Sequence, residues 1–183
     1  MTGGTVLVVI ALSLFLFHMW KAQMAGEAAN MVLGELETQI SVETEEDTDS
    51  LPVVEIDGYY YIGYLSIPSL GLTLPIMQEW SEEGLEIAPG VYAGSVLTDD
   101  AVIAGHNYRR HFSRIKYVAE GTEIGFTDIA GRTYTYEVLY IETLQPDQVE
   151  EMTEKSEDDE WDLTLFTCDS TGSARCVIRC VKI

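Results

Sequence analysis

The first stretch of the chain shows no alternation of hydrophobic and polar positions. From Thr5 to Trp20, TVLVVIALSLFLFHMW carries no charge until Lys21. With Gly3 and Gly4 it approaches the ~20 residues needed to cross a bilayer, with Trp20 and Lys21 at the interface. This predicts an uncleaved transmembrane anchor over 1–21. A cleaved signal peptide would want basic residues ahead of the apolar core. None precedes it, and Lys21 follows it, so charge asymmetry gives no orientation. Residues 22–40 are rich in helix formers, with Met24, Ala28, Met31 and Leu36 loosely periodic. They predict a helical stalk, followed by the polar, acidic, proline-ended linker SVETEEDTDSLP, so that 22–52 forms stalk and linker.

From Val53 onward β signals dominate. Short β-branched and aromatic runs alternate with Gly, Pro and Asp turns. They predict strands at 59–67, 70–77, 90–95, 100–106, two across 121–144 with a turn at Asp128–Gly131, and two more at 162–168 and 174–181. Brief helices are expected at 111–118, where Phe112, Ile115 and Val118 have helical spacing, and after Pro146. About eight short strands, two brief helices and no internal repeat predict an all-β domain over 53–183. A closed barrel is the economical arrangement, since closure leaves no exposed edge.

Charge narrows the partners. Thirty-one acidic residues against ten basic give a formal net charge of −21, which argues against nucleic acid. Sixteen of the acids lie in two segments, 35–49 and 147–162, and read as solvated linker and loop. The basic run Arg109, Arg110, Arg114 and Lys116 reads as a solvated helix face, with an anionic wall precursor or a substrate carboxylate as the alternative contact.

Three cysteines leave at least one free thiol. Cys176 and Cys180 share one strand and lie roughly 13 Å apart along it, beyond disulfide reach, so both are expected to face inward as small hydrophobes. Cys168 ends the strand in TLFTC, His106 ends another in VIAGH, and Arg175 opens the last strand. A thiol nucleophile, an imidazole acid and a guanidinium donor to an oxyanion would make a working set. Each also has an ordinary reading: a buried thiol, a turn histidine, a surface strand end.

Several segments in order weigh toward the first reading. TLFTC with its following strand arginine, VIAGHNYRRHFSRI, IGYLSIPSLGLTLPI and APGVYAGS together resemble the sortases, membrane-anchored cysteine transpeptidases of Gram-positive bacteria. The resemblance runs from Ile62 to the C-terminus. It implies a closed eight-stranded sortase-like β-barrel on an N-terminal transmembrane helix and stalk, single-pass in the cell membrane, with the catalytic domain outside. It implies that Cys168 attacks an LPxTG-like sorting signal between Thr and Gly, that His106 protonates the leaving amine, and that Arg175 stabilises the oxyanion. Arg179 has the same strand parity but lies too far along. Thr167 and Asn107, neighbours of the thiol and the imidazole, are the candidate substrate-binding residues. The Cys168 thioester would then pass to a peptidoglycan precursor or a pilin lysine, with no cofactor and no metal required.

Subtype is read from departures. The segment 22–58 has no Asp-Pro-aromatic lid, the chain ends just after its last strand, and only a short segment precedes the Cys168 strand. These favour a class A, D or E enzyme over classes B and C. A calcium site is conceivable between Asp99–Asp100 and Glu150, Glu151, Glu154 and Glu157, but the first loop is poor in acids. A pilin-polymerising enzyme, an inactive surface binding module on the same barrel, and a plain cysteine protease are the alternatives.

Overall fold

A computed structural model of the protein describes residues 2–40 and 50–183. Most of the acidic linker expected over 41–52 lies outside the described residues. The chain forms α1 (Thr2–Gln39), β1 (Val54–Ile56), β2 (Tyr59–Ile67), β3 (Leu72–Met77), β4 (Gly90–Ala93), β5 (Ala101–Ala104), β6 (Glu123–Asp128), β7 (Thr133–Leu144), α2 (Val149–Thr153), β8 (Leu163–Cys168) and β9 (Arg175–Lys182). Short 3-10 turns sit at Pro68–Leu70, Gly84–Glu86 and Phe112–Tyr117.

The strands run in the order β1-β2-β3-β4-β5-β8-β9-β7-β6, and β6 pairs back onto β2. That last pairing, Gly63 to Ser66 against Asp128 to Gly125, closes eight strands into a barrel. β1 is an appendix, covering only the first three residues of β2. Alternation sorts the side chains as a barrel requires. On β8, Leu163 and Leu165 join the interior with Ile67, Ile103, Phe126 and Ile178. Phe166 points outward into a second cluster with Trp161, Val102, Ala104, Val177 and Met152. The outer face of β5, β8 and β9 is therefore itself covered by α2 and its flanking loop, so those three strands are held from both sides.

α1 has two halves with different surroundings. The apolar side chains from Val6 to Trp20 that define its first half are 50–69% exposed. Its length, apolar composition and exposure qualify the segment as a candidate membrane anchor. Beyond Lys21 a stripe at Ala25, Ala29, Val32 and Leu36 is buried against the barrel. The small alanines let the helix approach closely. The stalk is thus a docked helix; of the loosely periodic set Leu36 is buried, while Met24 and Met31 are exposed.

Cys176 and Cys180 both face inward, packed with the interior cluster, and all three thiols are free. Burial pushes the Cys180 thiol up to about 12 and raises that of Cys176. Both should therefore stay protonated, and Cys168 should be the one thiol alkylated by iodoacetamide in the native protein at neutral pH. Peptide mapping after brief labelling checks this. Equal labelling of Cys176 or Cys180 would contradict the inward placement.

Candidate active site

The site is assembled by register. β5 and β8 run parallel, with Ala104 beside Phe166. Gly105 N–H adds one more rung, donating to the Phe166 carbonyl at 3.1 Å. Two residues further along come His106, just past the end of β5, and Cys168, the last residue of β8, with the two paired strands about 4.8 Å apart. On the other side β8 and β9 are antiparallel, and Cys168 lies directly opposite Arg175. Strand alternation turns Cys168 and Arg175 to the outer face shared by Ala104 and Phe166. The thiol therefore sits between the imidazole strand and the guanidinium strand.

Local sequence holds each group. Gly105 is required because a Cβ there would lie 2.5 Å from the Phe112 ring. Phe112, fully buried, packs against the bare backbone, and its N–H donates to the His106 carbonyl at 3.1 Å. The glycine before the histidine and the phenylalanine after it are thus one device. Between β8 and β9, Asp169 organises the turn: its carboxylate accepts from Thr171 Oγ1 (2.7 Å) and from the N–H groups of Thr171 (3.2 Å) and Ala174 (3.3 Å). The hydrogen bond from Thr171 is the main reason its carboxyl is held down at about 2. This exposed turn fixes the pairing of Cys168 with Arg175. The Arg175 guanidinium makes only long bonds, at 3.3–3.4 Å, to the carbonyls of Ala174 and Gly172.

His106 has a carboxylate neighbour that sequence reading did not single out. Glu86 Oε1 lies 3.9 Å from His106 Nε2 and accepts a 3.0 Å hydrogen bond from Lys21 Nζ, which belongs to α1. Tyr108 stacks on His106 with ring centroids 4.8 Å apart. Burial lowers the His106 imidazole below its ordinary range; Glu86 opposes that shift and Lys21 adds to it. Burial pushes the Glu86 carboxyl up, but hydrogen bonds from Lys21 and Tyr108 outweigh it and hold the group low. Glu86 is one of four glutamates in QEWSEEGLE, and nothing in that spacing distinguishes it.

The remaining candidates separate. Asn107 follows His106 on the rim, half-buried. Thr167 is 3% exposed and pairs with Cys176 of the adjacent strand on the interior face, opposite to that of Cys168; its hydroxyl has no hydrogen-bond partner. Arg179 lies opposite Thr164, four residues from Arg175, and is 3% exposed. It is saturated by Glu142 (2.8 Å), Thr164 Oγ1 (2.8 Å) and the carbonyls of Met152 and Glu151, and it lies over the Trp161 ring at 4.7 Å. Arg179 therefore pins α2 and its loop to the sheet. Another unanticipated feature is an aromatic file on the outer face: Trp80 against Tyr92 at 5.0 Å, and Tyr92 edge-on to Phe166 at 5.2 Å, two residues from Cys168. Asp99 is engaged by Lys182 at 2.7 Å, and Asp100 accepts from Ser95 N–H and Thr98 Oγ1. Among the described residues, no three His, Cys, Asp or Glu side chains converge as a metal site.

Residues 65–183 match the family model of the sortase domain. The chain belongs to the sortase family. It is 29% identical over 131 residues to Sortase A of Bacillus anthracis, an alignment covering 69% of this chain and 60% of that protein's length. Among solved structures, a Clostridium perfringens Sortase D5 transpeptidase superposes with TM-score 0.68 at 20% identity, over 86% of this chain and 99% of that one. Sortase C1 from Streptococcus agalactiae gives 0.62 at 26% identity, over 70% of each chain. Structures named as class C and class D both match this fold, so the likeness does not select a subclass.

The opposing effects of Glu86 and Lys21 predict opposite shifts. Lys21→Gln removes a cation that disfavours imidazolium, so His106 should titrate at higher pH. Glu86→Gln removes the compensating anion, so it should titrate lower. NMR titration of His106 Cε1–H in each variant reads the sign directly. Shifts in the same direction would overturn this electrostatic account.

Proposed function

We propose that the protein is a cysteine transpeptidase that cleaves an LPxTG-like sorting signal between Thr and Gly and transfers the acyl part to an amine. The observation that carries this reading is the β5–β8–β9 register, which brings Cys168 between His106 and Arg175. The Cys168 sulfur attacks the threonine carbonyl carbon while its proton passes to His106, which is neutral at pH 7 because burial depresses it. The carbonyl oxygen becomes an oxyanion, and Arg175 donates to it. Its few, long existing bonds leave donors free for that role. Collapse breaks the C–N bond, and imidazolium returns the proton to the departing glycine amine. An incoming amine then attacks the thioester and regenerates the thiol.

Asn107 at the rim is a contact for the bound peptide. Thr167 acts from behind, backing the thiol from the interior. The aromatic file offers flat apolar surface for the Leu-Pro portion of the signal, beside the thiol and without charge. The amine is read as a peptidoglycan precursor, making this a wall-anchoring enzyme of the class A, D or E type. The support for that subclass is the brevity of α2 and the loop before β8, with no Asp-Pro-aromatic motif in 22–58. The catalytic domain is placed on the outer side of the membrane, where such substrates are found.

With a fluorogenic LPxTG peptide and a fixed amine acceptor, Cys168→Ala should abolish ligated product. Arg175→Lys should lower kcat by about 10²–10³, since it keeps charge but loses the planar fork. Trp80→Ala should raise KM several-fold with kcat unchanged. Arg179→Lys should lower thermal stability rather than turnover. A kcat loss on Trp80→Ala with KM unchanged would remove the aromatic file from substrate binding. A loss on Arg175→Lys confined to KM would remove the oxyanion role.

A further inference from the structure

Cations are scarce on this chain, and half of them are already paired. Five of the ten, Lys21, Arg132, Lys155, Arg179 and Lys182, each pair with a carboxylate. Arg109, Arg110 and Arg114 do not. They line one cavity of about 780 Å³ between α1 and the barrel, and no Asp or Glu contributes to its wall. On a molecule with 31 acidic residues, an acid-free cavity holding three arginines is a place built for an anion. Among the described residues, Arg109 and Arg110 make no hydrogen bond or ion pair. Arg114 spends one N–H on the Leu70 carbonyl at 3.0 Å.

Position indicates which anion. The α1 wall of the cavity begins at Met19, in the last turn of the exposed apolar run, and continues through Gln23 and Gly26. If that run lies in the hydrocarbon, the cavity opens at the depth of the lipid headgroups. Gly26 is out of place in the middle of a long helix, where glycine costs about 1 kcal/mol against alanine. It is explained by the approach of Arg110: a Cβ on residue 26 would lie 2.0 Å from Arg110 Cδ. The bare backbone lets the Arg110 stem lie against the helix, within the lining of the cavity.

We propose that this cavity binds the phosphodiester of an anionic glycerophospholipid, with the three arginines on the phosphate and Met19 bordering the first acyl carbons. Guanidinium forks match phosphate oxygens in pairs. Bound lipid would fix the barrel's tilt on its anchor, and with it the height of Cys168 above the membrane. The proposal rests on reading α1 as a membrane anchor.

The test uses the full chain in neutral detergent. Dioctanoyl phosphatidylglycerol, dioctanoyl phosphatidylcholine and inorganic phosphate are titrated separately, with native mass spectrometry counting adducts and calorimetry giving affinity. The expected result is a single phosphatidylglycerol adduct, held at least about tenfold more tightly than phosphatidylcholine or inorganic phosphate. The double variant Arg109→Gln/Arg110→Gln should weaken it by about 10–30-fold, at roughly one cation's worth of surface attraction per arginine. Lys116→Gln, a cation outside the cavity, should leave it unchanged. Peptide cleavage by the double variant in detergent should equal wild type, which shows that it is folded. Equal binding of the two lipids, or binding that survives the double variant, overturns the proposal. Inorganic phosphate binding as tightly as phosphatidylglycerol overturns the lipid assignment. Alkaline carbonate extraction of the chain from vesicles tests the anchor separately, because it does not depend on these arginines.

Discussion

The parallel pairing of β5 with β8 is the constraint on which the rest depends. Most neighbours in this barrel are antiparallel, and hairpins bring their ends together locally. β5 and β8 pair in parallel without a hairpin: Ala104 and Phe166 are 62 positions apart in sequence and meet only through the order of strands in the sheet. Parallel strands end at the same edge. That edge is where the imidazole and the thiol emerge together, and the adjacent antiparallel β9 adds a guanidinium from the opposite direction. The supports converge on this edge. Phe112 packs onto Gly105, the Asp169 turn sets Arg175 against Cys168, and Arg179 clamps α2 over the outer face. A buried cation such as Arg179 is a costly support, and it is viable because its N–H groups find a carboxylate, a hydroxyl and two carbonyls.

The N-terminal helix is more than a candidate tether. Its first half is sheathed in exposed apolar side chains, while its second half is docked on the barrel through Ala25, Ala29, Val32 and Leu36. Where the two halves meet, Lys21 reaches Glu86, and Glu86 faces His106. The last residue of the expected membrane segment is therefore two contacts from the imidazole. The N-terminal helix and the electrostatics of His106 are thereby tied to one carboxylate.

Much of this was legible in the sequence, for definite reasons. The β-branched and aromatic runs, bounded by Gly, Pro and Asp turns, located the strands because each has a face in the barrel core. TLFTC, VIAGH and the arginine after the turn identified the candidate groups. What escaped was set by tertiary neighbours. β1 is three residues long and exists only by pairing with the start of β2. The docked stripe of α1 uses alanines rather than the larger methionines, because close helix–barrel approach favours small side chains. Parity correctly aligned Arg179 with Arg175, but its burial depends on α2 carbonyls that no local pattern announces. Parity also turned Thr167 inward, away from the face of its neighbour Cys168. Glu86 and Trp80 belong to a polar loop whose importance appears only once Lys21 and Tyr92 are in place.

The central claim is that the Cys168 sulfur carries the acyl group. Mixing the protein with an LPxTG peptide in the absence of added amine, quenching in acid within seconds and mapping by mass spectrometry tests it most directly. The account predicts a mass increase equal to the peptide up to and including threonine, located on the peptide containing Cys168 and removed by hydroxylamine. Cleavage of the substrate with no such adduct at any quench time, or an adduct on Cys176 or Cys180, would contradict it.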